Sequence, residues 1–103
     1  MLLSMGMFAC GNKEFKISIL QMNDVYEIAP LDNGKVGGLA RVQTLYDELK
    51  SQNEHTMMVH AGDFLNPSVM SNLQYEGEKI KGRLMVDVMN AMDFDFVILG
   101  NHE

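Results

Sequence analysis

The chain alternates between apolar runs of strand length and stretches of helical spacing. Apolar, partly β-branched runs cover residues 15–22, 56–61 and 94–99. Between these runs, apolar residues recur every three or four positions over 39–49 and again over 80–92. Strands that alternate with helices indicate parallel strands joined by right-handed crossovers. The pattern therefore predicts an α/β fold with the order β-α-β-α-β.

Local signals refine this outline. The apolar stripe of the first helix is Leu39, Val42, Leu45, Tyr46 and Leu49. The stripe of the second is Ile80, Leu84, Val88 and Met92, which Met85 and Met89 widen. Residues 23–38 are predicted as a loop, because Pro30 and Asp32-Asn33-Gly34 are turn signals. The second and third apolar runs are nearly continuous, which predicts strands covered on both faces.

Polar residues follow each predicted strand at the point where it ends. Asn23-Asp24 follow the first strand, Gly62-Asp63 the second and Asn101-His102 the third. Parallel strands place their carboxyl ends at one edge of the sheet, where open α/β sheets bind ligands. A lone aspartate after a strand is usually a turn residue or a helix cap. Three polar strand ends at one edge favour a ligand site.

The residue types at this edge indicate which ligand it would bind. Carboxylate and amide oxygens suit Mg, Mn or Ca, and an imidazole also suits Zn and Fe. Two metal ions about 3.5–4 Å apart, bridged by one carboxylate, can clamp a phosphate ester and activate water. The sequence therefore predicts a metal centre that acts on phosphate.

Length and charge limit the other possibilities. The chain has 103 residues, 47% of them hydrophobic, which is enough for one small domain. Its formal net charge is −6, and the pI is about 4.9. Non-specific nucleic-acid binding needs a basic face, so we expect no nucleic-acid partner.

The single cysteine, Cys10, has an informative context. It follows nine uncharged, mostly apolar residues and precedes a polar segment, as at the end of a bacterial lipoprotein signal. This context predicts that residues 1–14 are a truncated signal and leader, that Cys10 carries a lipid, and that the protein is a periplasmic or outer-surface lipoprotein of the cell envelope. The run is too short to span a bilayer and lacks a basic beginning. A disordered, methionine-rich leader with an incidental thiol is the alternative.

Four blocks together resemble the calcineurin-like metallophosphoesterases, and within them the 5′-nucleotidase and UDP-sugar hydrolase group. The blocks are Asn23-Asp24, Gly37-Gly38-Leu39-Ala40-Arg41, Ala61-Gly62-Asp63-Phe64 and Leu99-Gly100-Asn101-His102-Glu103. The resemblance implies that residues 15–103 form the N-terminal, incomplete part of a catalytic domain. By the same resemblance, that domain would be an α/β/β/α sandwich that hydrolyses 5′-nucleotides or related phosphate esters.

The resemblance also implies a role for each matching residue. Asp24 would bind the first of two divalent metal ions (Mn, Zn, Fe or Mg), and Asp63 would bridge both. Asn101 would bind the second metal ion, and His102 would act in catalysis on the transition state or leaving group. Arg41 is expected to be structural. Outside the four blocks, the strand pattern predicts that His60 lies in the core and His55 on a surface loop.

The chain departs from the family pattern in two ways. Tyr26 stands where the family usually has histidine, and it would be a variant ligand, a group that contacts a ligand, or a sign of altered metal preference. The later histidines, including a Gly-His-x-His block, and the aspartate that pairs with the catalytic histidine are absent from the 103 residues. We therefore expect a fragment with about half of the ligands, weak metal binding and little or no activity alone.

Two other functional classes remain open. One is a non-catalytic relic or interaction module. The other is a metal-free nucleotide- or flavin-binding α/β domain, which would need a glycine-rich loop after the first strand. Residues 23–26 contain no glycine.

Overall fold

The part of the chain that the structure describes, residues 14–103 of a computed structural model, is an α/β unit. Its elements, in chain order, are β1 (Ser18–Met22), β2 (Pro30–Leu31), β3 (Val36–Gly37), α1 (Leu39–Gln52), β4 (Thr56–His60), a 3₁₀ turn (Met70–Asn72), β5 (Gln74–Tyr75), β6 (Glu78–Lys79), α2 (Arg83–Met92) and β7 (Phe96–Val97).

Three of the strands form one parallel sheet in the order β1-β4-β7. Met22, the last residue of β1, lies opposite His60 of β4, and His60 lies opposite Val97 of β7. Neighbouring strands are therefore consecutive along the main β-α-β-α-β path. This topology confirms the predicted α/β fold and its parallel pairing.

Both helices lie on the same face of this sheet. Met58 of the central strand is fully buried, and it belongs to one core cluster with Leu39 and Tyr46 of α1 and with Met85 and Met89 of α2. Side chains alternate between the two faces of a strand, so the Met58 side chain lies on one face of the sheet. Because residues of both helices belong to its cluster, both helices pack on that face. The flexible thioethers of the α2 methionines fill the space between that helix and the sheet.

The opposite face of the sheet is open within residues 14–103. Ile19 is 61% exposed, Phe96 62% and Ile98 65%. Within the described residues, the third strand is therefore covered on one face only. Strand order explains this result, because two crossovers that step in the same direction across a sheet place both helices on one side.

Three predicted boundaries also need correction. The segment 23–38 is not all loop, because β2 and β3 pair as an antiparallel hairpin. The third strand is limited to Phe96–Val97. The second helix begins at Arg83, since the Ile80 N–H donates to the Leu73 carbonyl (2.8 Å) beside the β5-β6 hairpin. The helix buries Met85, Met89 and Met92 instead of the whole predicted stripe, and Leu84 is 37% exposed.

Asp95 connects the beginning of β7 to the core. Its backbone N–H donates to the Met58 carbonyl (3.0 Å), and its carboxylate accepts the Met58 N–H (2.7 Å). The Tyr46 hydroxyl of α1 also donates to this carboxylate (3.3 Å). One side chain thus ties two strands and a helix together at the end of the sheet opposite the polar strand ends.

Residues 1–13 of the predicted leader lie outside the described residues. The predictions for residues 1–13, including lipidation of Cys10, therefore stay predictions. Within residues 14–103, neither the length nor the hydropathy of any helix suffices to cross a bilayer.

Substitutions at adjacent methionines of β4 test the one-sided core. Met58→Ala is expected to lower the free energy of unfolding by about 2–5 kcal/mol, because it leaves a cavity under the helices. Met57→Ala, on the open face, is expected to cost clearly less. Urea denaturation at constant m-value measures both losses. Equal losses would contradict the placement of both helices on one face.

Candidate functional site

Backbone hydrogen bonds continue from β1 and β4 into the loops that follow them. The Ala61 N–H donates to the Met22 carbonyl (2.8 Å), and the Asp24 N–H donates to the Gly62 carbonyl (3.1 Å). The first two polar strand ends are therefore hydrogen-bonded to each other. Asp24 and the Gly62-Asp63 pair come together at the carboxyl edge of the sheet, as the parallel pattern predicts.

The ends of β4 and β7 approach even more closely. A Cβ atom built on Gly62 would lie 2.6 Å from the backbone nitrogen of Gly100, and one built on Gly100 would overlap the Asp63 carboxylate. The His102 N–H donates to Oδ1 of Asp63 (3.0 Å). Two glycines at this crossing allow the two backbones to touch, and the contact brings the third polar strand end to Asp63.

The two aspartates share an unusual backbone conformation. Asp24 has φ 56° and Asp63 has φ 61°, both in the left-handed region that few non-glycine residues adopt. Five other described non-glycine residues, all in turns, also have positive φ, so this conformation by itself indicates tight turns. The tight turns at Asp24 and Asp63 direct both residues to one edge of the sheet.

Glu103, to which the sequence pattern assigned no role, is closely bound in the structure. Its carboxylate accepts backbone N–H groups from Asp63 (2.8 Å), Phe64 (2.7 Å), Leu65 (3.0 Å) and Gly100. Partial desolvation raises the pKa of Glu103, but the four hydrogen bonds together outweigh this effect and lower the pKa to about 2. The signal available in the sequence was Gly62-Asp63, since successive N–H groups at a left-handed turn form a concavity that binds anions.

Tyr26 lies among the acidic groups of the site. Partial burial raises the pKa of its phenol, and the negative charges of Asp63, Asp24 and Glu103 raise it further. A hydrogen bond to the Asp24 carboxylate acts in the same direction. The phenol therefore lies close to the carboxylates of the expected ligands Asp24 and Asp63.

The predicted ligands fit a divalent cation in kind but fall short in number. Asp24 and Asp63 supply carboxylate oxygens, and Asn101 adds an amide at the same edge, a donor set that suits hard cations. Within residues 14–103, no three His, Cys, Asp or Glu side chains lie close enough together to hold a metal ion. Asn101 and His102 are exposed. The described edge therefore offers donors of the predicted kind, but no set of three such side chains that could hold a metal ion.

The other singled-out residues have structural surroundings. His60 is 2% exposed, accepts the Gly62 N–H on Nδ1 (3.2 Å) and packs edge-on against Phe64, so its predicted place in the core is confirmed. Burial lowers the pKa of His60, although Glu103 and Asp24 oppose this shift. His55 is exposed before β4, as predicted.

Arg41 holds the β2-β3 hairpin to the start of α1. Its guanidinium donates to the carbonyls of Gly37 (3.1 Å) and Gly34. Gly38 precedes the helix with φ 91°, and a Cβ there would lie 3.2 Å from Pro30. These contacts agree with the expected structural role of Arg41.

A pocket of about 390 Å³ lies beside the site, between β1, the β2-β3 hairpin and α1. Its lining is mostly apolar and includes Met22, Val25, Leu31, Leu39 and Val42, together with Asp24 and Tyr26. An apolar lining does not compensate the desolvation of a phosphate. The lining of this pocket therefore does not suit a phosphate group.

Comparison with known proteins agrees with this geometry. The family model described as calcineurin-like phosphoesterase matches residues 17–103, which include all three polar strand ends. The chain belongs to the calcineurin-like phosphoesterase family. This membership confirms the resemblance seen in the four sequence blocks, and it favours a phosphoesterase over a metal-free flavin or nucleotide domain.

Relatives of this calcineurin-like phosphoesterase chain are named as 5′-nucleotidases. It is 36% identical to a snake venom 5′-nucleotidase of Crotalus adamanteus over 98 residues, covering 86% of this chain and 16% of the relative. It is 31% identical to a probable 5′-nucleotidase of Treponema pallidum over 101 residues, covering 87% and 16%. It is 30% identical to the 5′-nucleotidase of Bos taurus over 105 residues, covering 88% and 17%. The chain spans about a sixth of the length of these relatives.

Two glycine substitutions test the close approach in this calcineurin-like phosphoesterase site. Gly62 has φ 100° and touches Gly100, whereas Gly77 has φ 84° with nothing within 4 Å of an added Cβ. Both Gly62→Ala and Gly77→Ala incur the left-handed cost, about 1–2 kcal/mol. Gly62→Ala is expected to lose a further 1–3 kcal/mol, roughly, from overpacking. Equal unfolding free energies for the two variants would contradict the close contact.

Proposed function

We propose that this chain provides part of the active site of a metal-dependent phosphoesterase that hydrolyses 5′-nucleotides or related phosphate esters. The observation that carries the proposal is the joining of the three polar strand ends at one edge. The Asp24 N–H donates to the Gly62 carbonyl (3.1 Å), and the His102 N–H donates to Oδ1 of Asp63 (3.0 Å). All of these residues lie within the family match.

The proposed ligands come from the three strand ends. Asp24 would hold one divalent cation, Asn101 would hold a second, and Asp63 would contribute to both. The cations would be Mn, Zn, Fe or Mg, and when bound they supply Lewis acidity toward the phosphoryl group and water. His102 follows Asn101 directly and carries the group that would exchange a proton with the leaving oxygen or stabilise its charge. The hydrogen bond from the His102 N–H to Oδ1 of Asp63 holds the proposed catalytic residue close to the proposed metal ligand.

The substrate class rests on the relatives. Several are named 5′-nucleotidase, and a 36% identical segment occurs in the trifunctional nucleotide phosphoesterase YfkN of Bacillus subtilis. A nucleotide phosphate ester is therefore the proposed substrate. Residues 15–103 are proposed as the N-terminal part of the catalytic domain. A cell-envelope location with a lipid on Cys10 stays a prediction from the leader sequence.

Metal titration of the 103-residue chain tests the proposed ligands. Binding of Mn²⁺, measured by calorimetry, is expected to be weaker than micromolar because the donor set is incomplete. Asp24→Asn and Asp63→Asn are each expected to weaken it at least about tenfold. Asp87→Asn is the control, since Asp87 is an exposed helix residue that faces Arg83 at 3.8 Å.

Two results would overturn parts of this reading. Equal affinities in Asp63→Asn and Asp87→Asn would exclude Asp63 as a ligand. Micromolar binding that depends on Asp24 and Asp63 would instead contradict the incompleteness of the donor set. In the latter case, hydrolysis of a 5′-nucleotide by the chain alone becomes the decisive assay.

A separate prediction concerns Tyr26. Tyr26→His places an imidazole where the phenol now contacts Asp24, and imidazole is a good ligand for Zn²⁺. We expect Zn²⁺ affinity to rise about tenfold in Tyr26→His and to change little in Tyr26→Phe. Competition with a chromophoric chelator measures both affinities. A loss in Tyr26→Phe as large as that in Asp63→Asn would identify Tyr26 as a ligand.

A further inference from the structure

Glu103 joins two loops that are distant in sequence. Oε1 accepts N–H groups of Phe64 (2.7 Å) and Leu65 (3.0 Å), and Oε2 accepts those of Asp63 (2.8 Å) and Gly100. Asp63, Phe64 and Leu65 follow β4, whereas Gly100 follows β7. One carboxylate therefore holds the carboxyl ends of two neighbouring strands together.

This arrangement uses the full accepting capacity of the side chain. An ionised carboxylate has about four lone-pair sites, two on each oxygen. Four backbone donors occupy them, two on Oε1 and two on Oε2. Glu103 thus has no free lone pair for a cation, which separates its role from those of Asp24 and Asp63.

Asp63 is held at both its backbone and its side chain. Its N–H donates to Glu103 (2.8 Å), and its Oδ1 accepts the His102 N–H (3.0 Å). Its φ of 61° is unfavourable for an aspartate without such support. Charge-assisted hydrogen bonds are about twice as strong as neutral ones, so the carboxylate is well suited to stabilise this turn.

We propose that Glu103 is a positioning residue, which holds Asp63 in its left-handed conformation and keeps it in contact with the segment carrying Asn101 and His102. The functional part of this inference rests on the proposed role of Asp63 as the bridging ligand. Glu103 acts through backbone N–H groups and touches neither the cation nor the substrate.

The chemistry of the side chain dictates the variants. Glu103→Gln keeps the shape but replaces one acceptor oxygen by an NH₂ group that faces two N–H donors. Glu103→Asp keeps both acceptor oxygens on a shorter stem and is the conservative rescue. Glu48→Gln is the matched control, because Glu48 is an exposed glutamate on α1. Gly77→Ala provides a variant destabilised away from the site.

Two NMR measurements on the 103-residue chain test the proposal without metal. Amide hydrogen exchange at Asp63, Phe64, Leu65 and Gly100 is expected to be at least about tenfold faster in Glu103→Gln than in the wild type. Glu103→Asp is expected to fall between them, and Glu48→Gln to match the wild type. The HN–Hα coupling of Asp63 reports its φ, and it is expected to change in Glu103→Gln but not in Gly77→Ala.

Mn²⁺ affinity provides the functional readout. Glu103→Gln is expected to weaken binding about tenfold, whereas Gly77→Ala leaves it unchanged. Wild-type exchange and coupling in Glu103→Gln would overturn the proposal. Faster exchange with unchanged Mn²⁺ affinity would overturn the positioning role. If the wild-type chain does not bind Mn²⁺, the proposed metal site fails, and the Asp63 coupling alone supports or overturns the role of Glu103.

Discussion

Parallel pairing of the central strand β4 with both of its neighbours is the constraint on which the rest of the structure depends. The register sets Met22, His60 and Val97 side by side, so the three following segments leave the sheet at the same level. Further backbone bonds extend the pairing past the strands, from Ala61 to Met22 and from Ile98 to His60. The site is therefore a continuation of the sheet's hydrogen bonding.

The electrostatics of the site follow from the meeting of the three polar strand ends at one edge of the sheet. Three acidic side chains, Asp24, Asp63 and Glu103, raise the pKa of the Tyr26 phenol beside them. Backbone N–H groups stabilise the negative charge of the Glu103 carboxylate, but the carboxylates of Asp24 and Asp63 accept fewer such hydrogen bonds. The contacts that fold the edge therefore also determine which of its carboxylates carry backbone N–H donors.

Much of this could be predicted from local patterns. Apolar runs and helical spacing indicated the α/β order, and the parallel rule brought Asp24, Asp63 and Asn101 to one edge. The errors arose where long-range contacts override local preference. Ile80 fits the apolar stripe of α2, but its N–H donates to the Leu73 carbonyl and the helix begins only at Arg83. The third apolar run spans residues 94–99, yet only Phe96–Val97 pair as a strand.

The sequence by itself determined the type of fold, the edge at which the chemistry lies and the donor types there, because these depend on periodicity and on the residues that follow each strand. The tertiary structure alone decided how those residues are held. The contact of Gly62 with Gly100 and the Glu103 carboxylate on the loop after β4 join positions up to 40 residues apart. Local propensity carries no information about such contacts, since they form only when the packed sheet brings the strand ends together.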